Sequence, residues 1–301
     1  MNDQVVATPV FDRTADDIGN IVEFGHVNVR VPDQLLATLF YVSGMGFTRD
    51  PYLVVGIDNM WVNVGTCQFH LPTGRAQVVR GTTGLVVPDL PALARRLAAV
   101  AGRLAGTAFS FRVGPDVIEV TCPWGNRLRC HAPDRQFGPI TLGMPYVELD
   151  APRGTAAGIA RFYREMLGSP ATVSHEAGGD VATVAAGLGE RLIFRETDRP
   201  LPAFDGNHVQ IALADFSGPH RRLLERGLIS EESGPHQYRF ENISDLDTGI
   251  VLLKMEHEVR SMRHPMYARP LVNRNPETTN MHYAPGHEAW APAWAVAMGA
   301  T

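Results

Sequence analysis

Four stretches of the chain repeat one pattern, in which apolar and polar residues alternate ahead of a segment with helical spacing. The repeats start near His26, Thr82, Tyr146 and His208. They follow one another at intervals of about 60 residues, and a regular period indicates one supersecondary unit copied along a chain. The alternation predicts a β-strand, because successive side chains of a strand point to opposite faces. We therefore expect four copies of one unit that begins with a strand.

The alternation also predicts which side chains share a face. His26 and Asn28 fall on the polar face of the first strand, and His208 and Gln210 fall on the polar face of the fourth. The apolar faces carry Val27, Val29 and Val31 in the first strand and Val209, Ile211 and Leu213 in the fourth. We expect the apolar faces to pack on helices, and the polar faces to line a cup or cleft.

Each strand is followed by a helix-like segment and then by further strand-like runs. Apolar spacing predicts a helix over 34–44 in the first unit and over 90–101 in the second. The order βαβββ, repeated four times, predicts an α+β fold of four units paired into two tandem domains, each a cupped mixed β-sheet with helices outside. Pairing in sequence order gives the following bounds: a flexible arm at 1–20, an N-terminal domain at 21–135, a C-terminal domain at 142–258 and an extended tail at 259–301.

Composition and charge narrow the range of functions. The chain has 301 residues, 45% of them hydrophobic, and a net charge of −5 with a pI near 6.1. This balance argues against a nucleic-acid surface, and the sequence has no apolar run long enough to predict a membrane span. The start of the chain lacks the basic residues of a secretory signal, so we expect a cytoplasmic protein. Three cysteines, Cys67, Cys122 and Cys130, are predicted to be free thiols.

Short motifs in these units resemble those of the vicinal oxygen chelate superfamily, which includes glyoxalase I, extradiol dioxygenases and bleomycin-resistance proteins. The resemblance rests on two helix-ending runs, on Val-Pro-Asp strand exits at 31–33 and 87–89, and on one Pro-Trp-Gly-Asn turn at 123–126. The two runs are Phe40-Tyr-Val-Ser-Gly-Met-Gly-Phe47 and Phe162-Tyr-Arg-Glu-Met-Leu-Gly168. The resemblance covers roughly residues 20–258 and is specific for the fold, but one fold can carry many chemistries.

The resemblance implies a divalent metal in a cup, held by residues on the first and last strands of paired units. Such an ion acts as a Lewis acid on substrate oxygens and needs imidazole or carboxylate ligands. In dioxygenases of this superfamily two histidines and a glutamate hold iron, whereas glyoxalases use histidine and glutamate or glutamine. Fe²⁺ is the first expectation for this chain, with Mn²⁺ or Zn²⁺ as alternatives.

In the N-terminal pair of units, His26 matches the ligand position of the first strand and Gln68 that of the last strand. His70 lies two residues from Gln68 on the same face and could replace a missing ligand. The remaining two positions hold Thr82 and Arg129, and neither is a plausible metal ligand. A histidine such as His26 could also be hydrogen-bonded within a sheet without binding a metal.

In the C-terminal pair, His208 matches a ligand position, while Tyr146 occupies the other first-strand position. Alternation counted from Gly249 predicts that His257 faces inward and that Glu256 faces outward, unless a bulge shifts the register. Glu148 could supply a carboxylate or form a salt bridge. We predict that this cup is the active one, with His208 as ligand and with His257 and Glu148 or Glu256 completing the site. His208 and Tyr146 are the predicted catalytic residues, Tyr146 as a phenolic acid or base.

The leading functional hypothesis is a metal-dependent oxidoreductase of the extradiol-dioxygenase type, acting on a small oxygenated and possibly aromatic substrate. The alternatives are a glyoxalase-type lyase or isomerase and a metal-free protein that binds or sequesters a small molecule. The tail interleaves arginines with prolines and apolar residues, which favours an arm packed across a domain or a second copy of the chain as a homo-oligomer. Its arginines could also bind a carboxylate.

Overall fold

The computed structural model describes residues 13–53 and 56–275. Most of the predicted N-terminal arm lies outside these residues, apart from a 3-10 turn at Arg13–Asp16 and the loop that follows it. No helix in the described ranges is both long and apolar enough to cross a membrane. The three cysteines are free and buried, as predicted.

Four βαβββ units make up the described chain. The elements of the first unit are β1 (Ile21–Asn28), α1 (Gln34–Ala37) with a π-helical continuation (Thr38–Gly44), β2 (Thr48–Arg49), β3 (Asn59–Val64) and β4 (Cys67–Pro72). Those of the second are β5 (Gly81–Val86), α2 (Leu90–Ala101), β6 (Ser110–Val113), β7 (Val117–Thr121) and β8 (Arg127–His131).

The second half of the chain repeats the order. The third unit has β9 (Gly143–Pro152), α3 (Ala156–Phe162) with a π-helical continuation (Tyr163–Leu167), β10 (Ala171–Glu176), β11 (Gly179–Ala185) and β12 (Arg191–Thr197). The fourth has β13 (His208–Leu213), α4 (Ser217–Glu225), β14 (Ile229–Gly234), β15 (Gln237–Ser244) and β16 (Val251–Ser261). The predicted α+β class and the four repeated units are therefore confirmed.

The motifs at the helix ends have simple local causes. Asp33 and Asp89, which close the Val-Pro-Asp strand exits, are N-caps whose carboxylates accept hydrogen bonds from the first free amides of α1 and α2. The segment after α3 ends at Gly168, whose φ of 73° is a left-handed conformation that glycine adopts without steric cost. These residues set where α1 and α2 start and where the segment after α3 stops.

The units pair in a different order from the one predicted. One eight-stranded sheet has the order β14-β15-β16-β13-β1-β4-β3-β2, and the other has β10-β11-β12-β9-β5-β8-β7-β6. The first sheet thus combines the first and fourth units, and the second sheet combines the second and third. The bounds 21–135 and 142–258 assumed pairing in sequence order, and they do not correspond to these sheets. The central contacts are antiparallel, β1 with β13 and β5 with β9.

The apolar face of each sheet packs on the helices, as the alternation predicts. Val27 on β1 and Val29 just after it are each 1% exposed, and their counterparts on β9, Val147 and Leu149, are 1% and 4% exposed. Tyr41 in the first π-helical segment packs against Phe69 of β4 with ring centroids 5.0 Å apart. Burial of these faces supplies the main favourable free energy of the fold, and it leaves the opposite faces available for polar side chains.

The predicted tail begins three residues too early. β16 continues to Ser261, because its residues from 256 to 261 pair in parallel with β13. Residues 262–275 then cross the polar face of the first sheet, and residues 276–301 lie outside the described part of the chain. We call residues 266–274 the strap.

Candidate metal centre

Three side chains converge on the polar face of the first sheet, which we call the first cup. His26 lies on β1, His208 on β13 and Glu258 on β16, and one nitrogen or oxygen from each lies within 4.8 Å of the others. The strand register creates this cluster, because Asn28 pairs with His208 across β1 and β13 while Gln210 pairs with Glu258 across β13 and β16. Residues from both ends of the chain therefore form one site.

The atoms that could bind a ligand in this cluster are buried and have no hydrogen-bond partner among the described residues. They are Nε2 of His26, Nε2 of His208 and Oε1 of Glu258, and the three side chains belong to residues that are 1%, 6% and 3% exposed. A buried polar atom without a partner costs about 1–3 kcal/mol. The two histidine nitrogens without partners, close to the Glu258 carboxylate, indicate a site that a bound group can complete.

The protonation states also suit a metal. Burial lowers the pKa of His26 well below its ordinary value, so the imidazole is neutral at physiological pH and its lone pair is free, as metal ligation requires. Burial would raise the pKa of Glu258, but the neighbouring His208 ring and the charge of Arg260 hold it below the ordinary value. Two imidazoles and one carboxylate are a ligand set that fits a divalent ion.

Two arginines hold the carboxylates of this cup. Arg239 binds Glu256 through Nη1 at 2.5 Å and Glu258 through Nη2 at 2.6 Å. Arg260 Nη2 lies 2.6 Å from Glu258 Oε1 but without the geometry of a hydrogen bond. The two guanidinium groups offset the two carboxylates. A divalent ion would therefore give the cup a positive charge, and the cup would favour a substrate that carries negative charge on its oxygens.

Gln68 lies beside His26 on the neighbouring strand of the first cup. It pairs with His26 across the parallel strands β1 and β4. Its Nε2 donates to Asn63 Oδ1 at 2.7 Å and to Asp50 Oδ2 at 3.1 Å. These two bonds commit the amide nitrogen, so Oε1 is the atom that Gln68 can offer to a metal or a substrate.

His70 lies on the same face but is fully engaged in hydrogen bonds. Its Nδ1 is 2.6 Å from Asn28 Nδ2, and its Nε2 is 2.8 Å from Asn59 Oδ1. The ring stacks on Trp61 with centroids 3.8 Å apart, and burial lowers its pKa to about 3. Nδ1 accepts from the amide of Asn28 and Nε2–H donates to Asn59, so no lone pair is left for a metal.

On β16 the predicted faces are reversed. His257 lies in the core, 0% exposed, where its Nε2 is 2.6 Å from the hydroxyl of Tyr163 and its ring stacks on Phe240. Glu256 and Glu258 lie on the cup side, in register with His208 and Gln210. The inward position of His257 and the outward position of Glu256 were wrong, because the apolar residues of β16 pack toward the helices just as those of β1 do.

Glu258 was not among the predicted site residues. A signal for it exists in the sequence Leu253-Lys-Met-Glu-His-Glu-Val-Arg260, where apolar residues at 253, 255 and 259 alternate with charged residues at 254, 256, 258 and 260. Applied as in the first strand, this alternation assigns Glu258 to the polar face.

The other predicted residues lie on the second sheet, whose polar face we call the second cup. Tyr146 hydrogen-bonds His131 Nε2 at 2.9 Å, and Glu148 forms a salt bridge with Arg195 at 3.2 Å. The structure therefore separates Tyr146 and Glu148 from His208. It also unites His26 with His208, so the choice between an N-terminal and a C-terminal cup does not arise.

A cavity of about 710 Å³ opens beside the first cup. Its lining includes His26, Gln68 and Arg260 from the sheet, Glu190 from the β11–β12 loop, and Met266 and Leu271 from the strap. Burial and the nearby Glu23 carboxylate raise the pKa of Glu190 to about 7. The cavity therefore contains a group that can exchange a proton near neutral pH.

The strap is held across the first cup by several specific contacts. Arg269 Nη2 binds Asp50 Oδ2 at 2.5 Å, and the side chain of Asp50 is 0% exposed. Backbone amides of Ala268 and Arg274 donate to Glu23 and Thr48, and the Asn273 amide bonds the backbone of Gly65 on both sides. One tail arginine thus binds a carboxylate of the chain itself.

Comparison with known proteins supports the fold but not one activity. No family model matches the sequence, and no curated protein matches it at a significant level. A putative dioxygenase from Bacillus subtilis superposes with a TM-score of 0.54 at 13% identity, over 82% of this chain and 87% of that chain. Glyoxalase I from Zea mays gives 0.53 at 13% identity, over 79% and 92% of the two chains. The chain has the vicinal oxygen chelate fold, as its motifs predicted.

Proposed function

We propose that this protein is a metal-dependent oxidoreductase that resembles the extradiol dioxygenases and acts on a small oxygenated, possibly aromatic substrate. The observation that carries the proposal is the buried set of unpartnered atoms on His26, His208 and Glu258. Two histidines and one carboxylate with open positions are typical of non-haem Fe²⁺ oxygenases. Fe²⁺ is therefore the proposed metal, with Mn²⁺ or Zn²⁺ as alternatives.

In this proposal the chain positions the metal ligands, limits the access of water and supplies a proton acceptor. A bound divalent ion would polarise two adjacent substrate oxygens as a Lewis acid. Arg239 and Arg260 fix the carboxylate of Glu258, and Gln68 presents Oε1 beside His26. The strap limits the access of water, and Glu190 can accept a proton from a substrate hydroxyl in the same cavity.

The test of the metal site is metal analysis of protein purified without chelators or nickel. We expect one divalent ion per chain in the natural protein. The affinity should fall by about 100-fold in His26→Ala, His208→Ala and Glu258→Gln, since each removes one of three ligands. His175→Ala is the matched control, because His175 lies on β10 with its side chain 84% exposed. Full metal content in all three variants would contradict this site, whereas absence of a metal from the natural protein would support the metal-free binding protein.

A second candidate is a glyoxalase-type isomerase or lyase. Gln68 favours it, because glutamine can serve as an uncharged fourth oxygen ligand opposite His26. The two activities differ in their use of dioxygen. Oxygen uptake with vicinal dihydroxy compounds supports the first proposal, whereas turnover of a 2-oxoaldehyde–thiol adduct without oxygen uptake supports the second.

Gln68→Glu sharpens this comparison. The change adds a second carboxylate as a fourth ligand, which should tighten metal binding and suppress a reaction that needs an open position for dioxygen. A cytoplasmic location and association of copies through the tail both stay predictions. Mass measurement by light scattering, with and without residues 262–301, tests the second of them.

A further inference from the structure

The second cup has the same backbone positions as the first cup but a different chemistry. Thr82 on β5 pairs with Arg127 on β8 just as His26 on β1 pairs with Gln68 on β4. The next pair along the same strands places Arg129 opposite Gly84. Arginine thus stands at two positions of the second cup where the first cup has neutral side chains.

The ligand positions contributed by the third unit have changed as well. Tyr146 corresponds to His208, because each pairs across the centre of its sheet at the same point. On the last strands, Arg191 corresponds to Glu256 and Ile193 corresponds to Glu258. None of these side chains is a metal ligand under ordinary conditions. The first cup thus has a candidate cation site, whereas the corresponding positions of the second cup carry arginines and no carboxylate.

A hollow of about 450 Å³ lies on this face. Its charged lining consists of Arg112, Arg127, Arg129 and a single carboxylate, Glu119. Glu119 binds Arg112 closely, at 2.6 Å, but lies 3.8 Å from Arg129 Nη2. Asp150, beside Arg127, adds a second carboxylate but is shared with Arg199, so the guanidinium groups around the hollow outnumber the carboxylates and leave an excess of positive charge.

Arg127 and Arg129 have guanidinium N–H donors that are not all committed to close acceptors. Arg127 donates through Nε to the carbonyl of Gly81 at 3.0 Å, but its Nη2 lies 3.7 Å from Asp150, which Arg199 also contacts. The side chains of Arg127 and Arg129 are 48% and 40% exposed. A guanidinium group offers five N–H donors in a planar fork, which matches the oxygens of a carboxylate or a phosphate.

Neutral donors complete the hollow. The hydroxyl groups of Thr82, Ser110 and Thr121 belong to residues that line it, and they lie in one row across β5, β8, β7 and β6. Hydroxyl groups bind oxyanions alongside arginine without adding charge.

The geometry points to an oxyanion-binding site in the second cup, in which Arg127 and Arg129 bind a small carboxylate or phosphate. The site is separate from the first cup and does not depend on the proposed activity. The two cups of one duplicated scaffold then serve ligands of opposite charge.

Titration calorimetry on the full chain at low ionic strength tests the site with inorganic phosphate and with succinate as separate probes. We expect one molecule of at least one probe per chain. Arg127→Gln and Arg129→Gln should each weaken binding by about tenfold, because each loses a charge-assisted pair of hydrogen bonds. Arg221→Gln, an exposed change on α4, should leave binding unchanged. Tighter binding of phosphate or of succinate shows which oxyanion the cup prefers.

Three results would overturn the inference. The first is that neither probe binds, and the second is that Arg221→Gln weakens binding as much as Arg129→Gln does. The third is that His208→Ala abolishes binding, which would assign the anion to the first cup. Arg129→Lys keeps the charge but not the planar fork, and we expect an intermediate affinity. If the circular dichroism spectrum shows that Arg129→Gln does not fold, Arg129→Lys replaces it in the test. Arg129→Lys should fold and still bind more weakly than the natural chain.

Discussion

The two cups differ in their side chains at positions where their backbones agree. At the paired positions the first cup has His26, Gln68 and His208, and the second has Thr82, Arg127 and Tyr146. The first set is buried under the strap, whereas arginines of the second are about half exposed. The scaffold is therefore maintained by one face of each sheet, and the other face is free to diverge in charge and in burial.

This difference shows that two copies of the same fold need not have the same binding site. The apolar faces are nearly interchangeable, because each requires only residues that fill space against helices. The polar faces are not, because a ligand set needs every donor in place at once. Replacement of one ligand leaves the others as buried polar atoms without a partner, which favours replacement of the rest.

The largest expected effect is on metal affinity, and it should differ between a carboxylate of the first cup and one of the second. Glu258→Gln should lower metal affinity by about 100-fold, while Glu148→Gln in the second cup should leave it unchanged, since Glu148 is paired with Arg195. Competition with a coloured chelator measures both affinities. Equal losses in the two variants would contradict the assignment of the metal to the first cup.

The next prediction concerns the face of each sheet that packs on helices. His257 in the first sheet corresponds to Leu192 in the second, because they pair with Val209 and Val147. His257→Ala should lower the free energy of unfolding by about 3 kcal/mol, since it removes the stack on Phe240 and leaves Tyr163 without its partner. Leu192→Ala should cost a similar amount.

Chemical denaturation measures both changes, and metal content is the control. A variant that keeps its metal but is less stable supports the core position of His257. A loss of metal in His257→Ala at unchanged stability would return this histidine to the ligand set.

A smaller effect tests the contact between the two sheets. Glu190 comes from the loop of the second sheet and lines the cavity of the first, with its pKa raised from 4.5 to about 7 by burial and by Glu23. A raised pKa favours the protonated acid in the folded state. The folded state therefore loses stability as the pH rises from about 4.5, the ordinary value, to about 7, and the loss is complete above that pH.

Glu190→Gln removes this ionisation. At pH 8 the variant should be more stable than the natural chain by on the order of 2 kcal/mol, and the gain should vanish near pH 4. Denaturation at both pH values measures the difference, with exposed Glu225→Gln on α4 as the matched control. A gain that does not change with pH would show that the Glu190 carboxyl ionises normally.

The smallest effects compare an ion pair in each cup. Arg269 binds the buried Asp50 and holds the strap, whereas Arg195 binds Glu148 and Glu176 near solvent. Arg269→Gln should cost about 1 kcal/mol and raise amide hydrogen exchange at Ala268 and Arg274. Arg195→Gln should cost less than about 1 kcal/mol and leave exchange in the strap unchanged.

The sequence predicted what depends on local pattern. The four strands, the helices that begin at Gln34 and Leu90 and the two histidines His26 and His208 follow from alternation, helical spacing and repeat position. The same alternation, applied to β16, would have included Glu258. It was missed because the alternation counted from Gly249 assigned the face of Leu253, Met255 and His257 to the cup, although that face carries the apolar residues of the strand.

The order in which units pair is not encoded locally. Each unit offers a central strand with an apolar face and an edge, and any other unit could pair with it. The selection of the fourth unit by the first depends on side chains from distant parts of the chain, such as Asn20, which hydrogen-bonds the carbonyls of Leu167 and Asp215. For the same reason Tyr146 and Glu148 were grouped with His208, although they belong to the other sheet.

The pairing of the first unit with the last has a consequence for synthesis. β1 leaves the ribosome early, but its partner β13 and the strand that bears Glu258 are made only after the second and third units. The second sheet consists of consecutive units and can form while the chain is still growing, whereas the first must wait for contacts of the longest range, which close slowly. The candidate metal centre is thus the last part of the described chain to be assembled, and a nascent chain that stops before β16 has a complete second sheet but lacks Glu258.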